Sequence, residues 1–115
     1  MTNNREHRSG SVHILVVDDE PDLRTLYELT LLREGYQVET AGTVAESRRL
    51  LASRHFNVVI TDMRLPDGEG LELLRDLSAG GRPECCIVIT AYGSAENAVE
   101  ALKCGAFDYL SKPVD

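Results

Sequence analysis

Apolar and polar positions along the chain follow two alternating periods, and each switch of period predicts an element. His13-Ile14-Leu15-Val16-Val17 is a short apolar run rich in β-branched residues, read as a buried strand that stops at Asp18-Asp19. Glu20-Pro21 then opens a helix, with proline near its first position and acids in its first turn. Leu23, Leu26, Tyr27 and Leu31 give that helix an apolar stripe, which ends near Gly35. Tyr36 to Ala41 alternates as a second strand. Thr43-Val44-Ala45-Glu46 has capping-box spacing and begins a second helix running to about Ser53. Asn57-Val58-Val59-Ile60-Thr61 predicts a third strand, again ended by an acid, Asp62. Leu65-Pro66-Asp67-Gly68 is a turn. Leu71, Leu74 and Leu77 mark a third helix, closed by Ala79-Gly80-Gly81. Cys85 to Thr90 predicts a fourth strand. Ser94 is placed to cap a fourth helix, with Ala98, Ala101 and Leu102 facing inward and Gly105 as its left-handed stop. Phe107 to Leu110 is a fifth short strand, followed by Ser111-Lys112-Pro113.

Strict alternation of strand and helix through five strands predicts an α/β fold, a parallel sheet with right-handed crossovers. A length of 115 residues suits one domain with its own core. Met1 to Ser11 is polar, mixed in charge and without the apolar region of a secretory signal, so a flexible leader (1–11) ahead of a domain (12–115) is expected. A net charge of −7 argues against direct nucleic-acid binding, which needs basic groups to neutralise phosphates. Cys85, Cys86 and Cys104 are odd in number and carry no C-x-x-C spacing, which fits reduced core residues of a cytoplasmic protein. No apolar stretch approaches the length of a membrane span.

Ligands of open parallel sheets bind beyond the carboxyl ends of the strands. Asp18 and Asp19 follow the first predicted strand, Asp62 the third and Lys112 the fifth, while Thr90 ends the fourth. Taken singly, each has an ordinary explanation: acids favour a helix start, Asp62 precedes a turn, threonine suits strands and lysine suits surfaces. Together they put three carboxylates, a hydroxyl and an amine on one sheet edge. Clustered carboxylates repel unless a cation joins them, and an all-oxygen set suits Mg²⁺. Thr90 and Lys112 could then donate to phosphoryl oxygens, with an ionised aspartate as nucleophile.

Four stretches carry a resemblance to a known family: Val16-Val17-Asp18-Asp19-Glu20-Pro21, Thr61 to Gly68, Ile89-Thr90-Ala91-Tyr92-Gly93, and Ala106 to Pro113. From His13 to Asp115 the chain resembles the CheY-like receiver domains of two-component response regulators. Thr90 to Asp115 is most similar to receivers of NtrC-type activators of sigma-54 transcription, and within them to regulators of type IV pilus genes. The resemblance implies a flavodoxin-like, doubly wound sheet of order 2-1-3-4-5. It implies that Asp62 accepts a phosphoryl group from a sensor histidine kinase, and that a downstream transcriptional effector responds. Asp18, Asp19, Asp62 and the backbone carbonyl of Arg64 would bind Mg²⁺, directly or through water. Thr90 and Lys112 would hold the phosphoryl oxygens. Thr90 and Tyr109 would form the switch, acting on the fourth helix and fifth strand. Lys112-Pro113 occupies the family's cis peptide position, and Arg64 and Tyr92 occupy positions that tune phosphate lifetime. Pairing of two copies is expected; a membrane partner is not.

One departure is expected to have a structural consequence. Receivers continue into a fifth helix, whereas this chain stops at Val114-Asp115, so a face near the fourth and fifth strands should be bare. Three other readings fit less well. An aspartyl-phosphate phosphohydrolase would carry an acid where Arg64 stands. A flavodoxin-like redox protein would need a Ser/Thr/Gly phosphate loop where Asp18-Asp19-Glu20 stand. A receiver-like module that takes no phosphate would not need all five site residues. The domain is therefore expected to catalyse only its own phosphorylation and dephosphorylation.

Overall fold

The apolar runs that end in acids pair as the inner strands of a parallel sheet. The computed structural model describes residues 12–81, 85–90 and 95–111. Strands β1 (His13–Val17), β2 (Gln37–Ala41), β3 (Val58–Asp62), β4 (Cys85–Thr90) and β5 (Asp108–Ser111) alternate with helices α1 (Pro21–Arg33), α2 (Val44–Ser53), α3 (Gly70–Ala79) and α4 (Ala95–Lys103). The sheet runs β2-β1-β3-β4-β5 and every neighbouring pair is parallel. This is the expected doubly wound 2-1-3-4-5 order. Strand order reverses between β1 and β3, which puts the crevice of such a sheet at their carboxyl ends. An antiparallel hairpin of Arg64–Leu65 with Gly68–Glu69 turns around Pro66-Asp67 between β3 and α3.

Register divides the strand residues between two faces. Leu15, Val59 and Cys86 align on one face, as do Val17, Thr61 and Val88. These pack with Val44 and Leu51 of α2, Leu71, Leu73, Leu74 and Leu77 of α3, and Ala101 of α4 in one core. Phe56, fully buried, plugs that core ahead of β3. The opposite face carries Ile14, Val16, Ile60, Ile87 and Ile89, and Tyr27, Thr30 and Leu31 of α1 line an open apolar groove there with Ile60 and Ile89. Val58, Ile60, Cys85 and Ile87 remain only partly buried there, and α1 buries no residue fully. A bare face beside the last strands was expected, and among the described residues only α1 covers this side.

Two expected inward residues differ. Leu102 of α4 is 52% exposed and Leu26 of α1 is 53% exposed. In α4 the sheet-facing line runs through Ala101, fully buried, and its neighbour in sequence is turned outward by the 100° step of the helix. In α1 the partly buried apolar residues are Leu23, Tyr27 and Leu31. Leu26 points away from that line, and so do Leu29 and Leu32.

Local chemistry accounts for the element ends. Gly35, Gly81 and Gly105 take positive φ just past α1, α3 and α4, a conformation that other residues adopt at a cost. Thr43 caps α2, its hydroxyl accepting from the Glu46 N–H at 3.0 Å. The Glu46 carboxylate returns to the N–H of Gly42 at 2.8 Å, not to that of Thr43, so the predicted box is closed one residue early. The adjacent Cys85 and Cys86 fall on opposite faces as alternation requires, and all three cysteines are free thiols. Among the described residues no helix is long and apolar enough to cross a membrane.

Candidate functional site

Asp18 emerges from β1 with its N–H bonded to the Ala41 carbonyl of β2 at 3.0 Å, which carries the sheet's pairing one residue past the strand. Its side chain is buried, and Oδ1 accepts from the Glu20 N–H at 2.9 Å. Asp62 is the last residue of β3, one residue beyond the predicted end of the strand at Thr61, and is 7% exposed. Thr90 ends β4, fully buried, two strands from β1. Four of the sequence-chosen positions, Asp18, Asp19, Asp62 and Thr90, therefore stand at the carboxyl edge of three neighbouring strands. Lys112, Pro113, Tyr92 and Ser94 lie outside the described residues.

The carboxylates that converge are those of Asp18, Glu20 and Asp62, with one oxygen from each within 4.8 Å of the others. Asp19 is exposed and does not belong to this group among the described residues. The reason is the backbone. Glu20 is still extended, at φ −87° and ψ 109°, before α1 begins. Asp18 Oδ1 accepts the Glu20 N–H in a tight turn that bends the chain at Asp19, bringing Glu20 back beside Asp18 and leaving Asp19 outside. The sequence signal for it is the local turn in which an Asp side chain takes the N–H two residues on, here from Asp18 to Glu20.

The backbone around Asp62 is shaped by a glycine that sequence reading passed over. Gly70 starts α3 and donates its N–H to the Met63 carbonyl at 2.8 Å. A Cβ at Gly70 would lie 2.1 Å from the Asp62 carbonyl oxygen and 2.9 Å from Thr61 Oγ1. Only a residue without a side chain lets α3 start this close to β3. Arg64 opens the hairpin two residues after Asp62, with its side chain exposed and its N–H 3.4 Å from Asp62 Oδ1. Tyr109 on β5 is partly buried against the core, and its hydroxyl is buried with no hydrogen-bond partner among the described residues.

Asp67, at the tip of the hairpin, reaches the start of α2. Its two oxygens accept from the N–H groups of Val44 at 2.7 Å and Ala45 at 3.0 Å, satisfying donors that a helix leaves orphaned. These bonds hold the Asp67 carboxyl below its ordinary range. A carboxyl depressed by folding contributes stability above its unfolded pKa and loses it as pH falls through the folded one. Asp67→Ala should therefore lower the melting temperature by a few degrees at neutral pH. The gap to wild type should close as pH falls from about 5 toward 2. Thermal melts across that range check both.

A donor set of three carboxylates, two of them buried, is hard, anionic and oxygen-only, which fits a divalent cation such as Mg²⁺ or Ca²⁺. Comparison with known proteins agrees with this geometry. Residues 14–115 match the response regulator receiver domain family. The chain is 50% identical over 101 residues to the response regulator protein PilR of Pseudomonas aeruginosa, covering 88% of this chain and 23% of that protein. It therefore spans about a quarter of the length of that relative. A response regulator from Burkholderia pseudomallei, solved with a phosphorylated aspartic acid, a calcium ion and citrate, superposes with a TM-score of 0.85 at 31% identity, over 91% of this chain and 62% of that one. The beryllofluoride-activated NtrC4 receiver domain dimer superposes with a TM-score of 0.84 at 35% identity, over 90% of this chain and 85% of that one.

Proposed function

The chain belongs to the response regulator receiver domain family, and from that premise we propose that Asp62 takes a phosphoryl group from a sensor histidine kinase and thereby switches a transcriptional regulator. The observation that carries this reading is the convergence of Asp18, Glu20 and Asp62 within 4.8 Å at the point where strand order reverses. Residues 12–115 form the receiver in this reading, after a leader of residues 1–11. The protein acts in the cytoplasm, where such kinases expose their phosphohistidine.

Asp62 is the nucleophile. An oxygen of its carboxylate bonds to phosphorus as the bond to the histidine nitrogen breaks, and that nitrogen keeps the electron pair. Burial strips Asp62 of most of its water, and the short path from β3 keeps it in one place. Asp18 and Asp62, with Glu20 beside them, would hold Mg²⁺, and the Arg64 carbonyl and Asp19 would complete the set, directly or through water. When bound, the cation would screen the acids from one another and draw negative charge from the phosphoryl oxygens. Thr90 offers its hydroxyl and Lys112 its ammonium to the remaining oxygens. Once Thr90 turns toward the phosphoryl group, space beside it opens for Tyr109, whose unpartnered hydroxyl stands to gain a bond by moving. The altered surface is α4 with β5. It is the face on which two copies would pair; the beryllofluoride-activated NtrC4 receiver domain is itself a dimer. The net charge of −7 leaves any DNA contact to another part of the regulator.

Intact mass after incubation with acetyl phosphate tests the reading. Wild type should gain one phosphoryl group only with Mg²⁺ present, and Asp62→Asn should gain none. A folded wild type that takes up nothing, or a folded Asp62→Asn that labels like wild type, would contradict it.

A further inference from the structure

The carboxylates of the site are short side chains, so their directions depend on the backbone that carries them. One long side chain contacts that backbone directly. Arg24, in the first turns of α1, sends Nη1 to the Asp18 carbonyl at 3.0 Å in a part-buried setting. That carbonyl belongs to the peptide joining Asp18 to Asp19. The same peptide chain is held on its other side by the Asp18 N–H to Ala41 bond, and the Asp18 side chain by the Glu20 N–H. Arg24 is thus the third restraint on the residue, and the only one of these three that comes from a side chain.

Space for Arg24 depends on a second residue. Its guanidinium lies against Gly42, where an added Cβ would sit 2.7 Å from Nη1. The backbone of Gly42 does not require glycine, because its φ is not positive. Its N–H is fixed by the Glu46 carboxylate at 2.8 Å, so the backbone beside the guanidinium is held in place by the start of α2. A glycine at this position makes room for the arginine, whose Nη1 is the one atom a side chain there would crowd below ordinary contact distance.

We propose that Arg24 is a positioning residue for the divalent-cation site, fixing the Asp18–Asp19 peptide through its bond to the Asp18 carbonyl, with Gly42 as the space that admits it. The proposal rests on the receiver reading for the identity of the site, but its test does not require phosphorylation. Partners that orient metal ligands typically change affinity by about 10- to 100-fold when removed. A guanidinium near a cation also repels it, so the direction of the effect separates positioning from charge.

The experiment is titration of Mn²⁺, followed by the loss of its free electron paramagnetic resonance signal, on wild type, R24A, R24K, G42A and the R24A/G42A pair. R24A should bind about tenfold more weakly. R24K keeps the charge without the planar fork and should stay closer to R24A than to wild type. G42A should weaken binding in the wild-type background and add nothing in the R24A background, because the clash it creates is with the guanidinium alone. Circular dichroism confirms folding; were R24A unfolded, R24K and G42A carry the same test. Affinity for Mn²⁺ unchanged or tighter in R24A, wild-type affinity in R24K, or additive losses in the pair would each overturn the proposal. A wild type that binds Mn²⁺ yet takes no phosphoryl group from acetyl phosphate would overturn the receiver reading and leave Arg24 judged on these affinities.

Discussion

Gly70→Ala should destabilise the fold by about 2–4 kcal/mol and lower the melting temperature by roughly 10 °C or more. The added methyl would meet the Asp62 carbonyl oxygen at 2.1 Å and Thr61 Oγ1 at 2.9 Å. Neither can give way cheaply. The carbonyl is backbone at the end of a central strand, and Thr61 is fully buried with its hydroxyl bonded to the same Asp62 carbonyl at 2.9 Å. The start of α3 must therefore move outward, breaking the 2.8 Å bond from the Gly70 N–H to Met63 and loosening Leu71, Leu73 and Leu74 in the core. Because the crowded carbonyl belongs to Asp62 itself, any folded fraction should also label more slowly. Gly68→Ala is the control on the same hairpin. There the obstacle is the end of the Glu72 side chain, which can swing away, so the loss should be much smaller. Thermal and urea melts of the two variants decide this; equal stabilities would contradict the close approach.

Asp18→Asn should separate stability from function. Three carboxylates whose oxygens lie within 4.8 Å repel one another when no cation joins them, by roughly 3–4 kcal/mol per pair at an effective dielectric of about 20. Asparagine preserves the shape of Asp18 and can still accept the Glu20 N–H through its oxygen. Removing the charge alone should therefore raise the melting temperature of the metal-free protein by several degrees. It should also abolish the rise that Mg²⁺ gives wild type, and cut labelling by acetyl phosphate at millimolar Mg²⁺ by at least about 100-fold. Gains in stability from easing a charged site commonly come with lost function. Melting curves with and without Mg²⁺, together with labelling rates, give all three readouts. A destabilised, fully active Asp18→Asn protein would show that the acids are a structural cluster.

Much of this was legible because the sequence writes burial and polarity in different periods. Runs such as His13–Val17 and Cys85–Thr90 stand out as strands, and their acids and hydroxyl mark the strand ends at which the site lies. The turn at Pro66-Asp67, the cap at Thr43 and the glycine stops at Gly35, Gly81 and Gly105 follow from local chemistry. What escaped depends on contacts between distant segments. Asp67 reads as a turn former, yet it also caps α2, a helix more than twenty residues earlier. Gly70 matters through its distance to Asp62, which no local pattern encodes. Leu26 and Leu102 look inward by spacing alone, but helices set by Tyr27, Leu31 and Ala101 turn them outward. Glu20 was within reach, since an Asp at position 18 can take the N–H two residues on and draw Glu20 beside it.

The central claim is that one carboxylate, that of Asp62, carries the phosphoryl group. Borohydride reduces an acyl phosphate to an alcohol, which converts a phosphorylated aspartate to homoserine and leaves free carboxylates untouched. Wild type treated with acetyl phosphate and Mg²⁺, reduced, digested and sequenced by mass spectrometry should show homoserine at position 62 alone. Homoserine at position 18, 19 or 67, or at no position in a folded protein, would contradict the account.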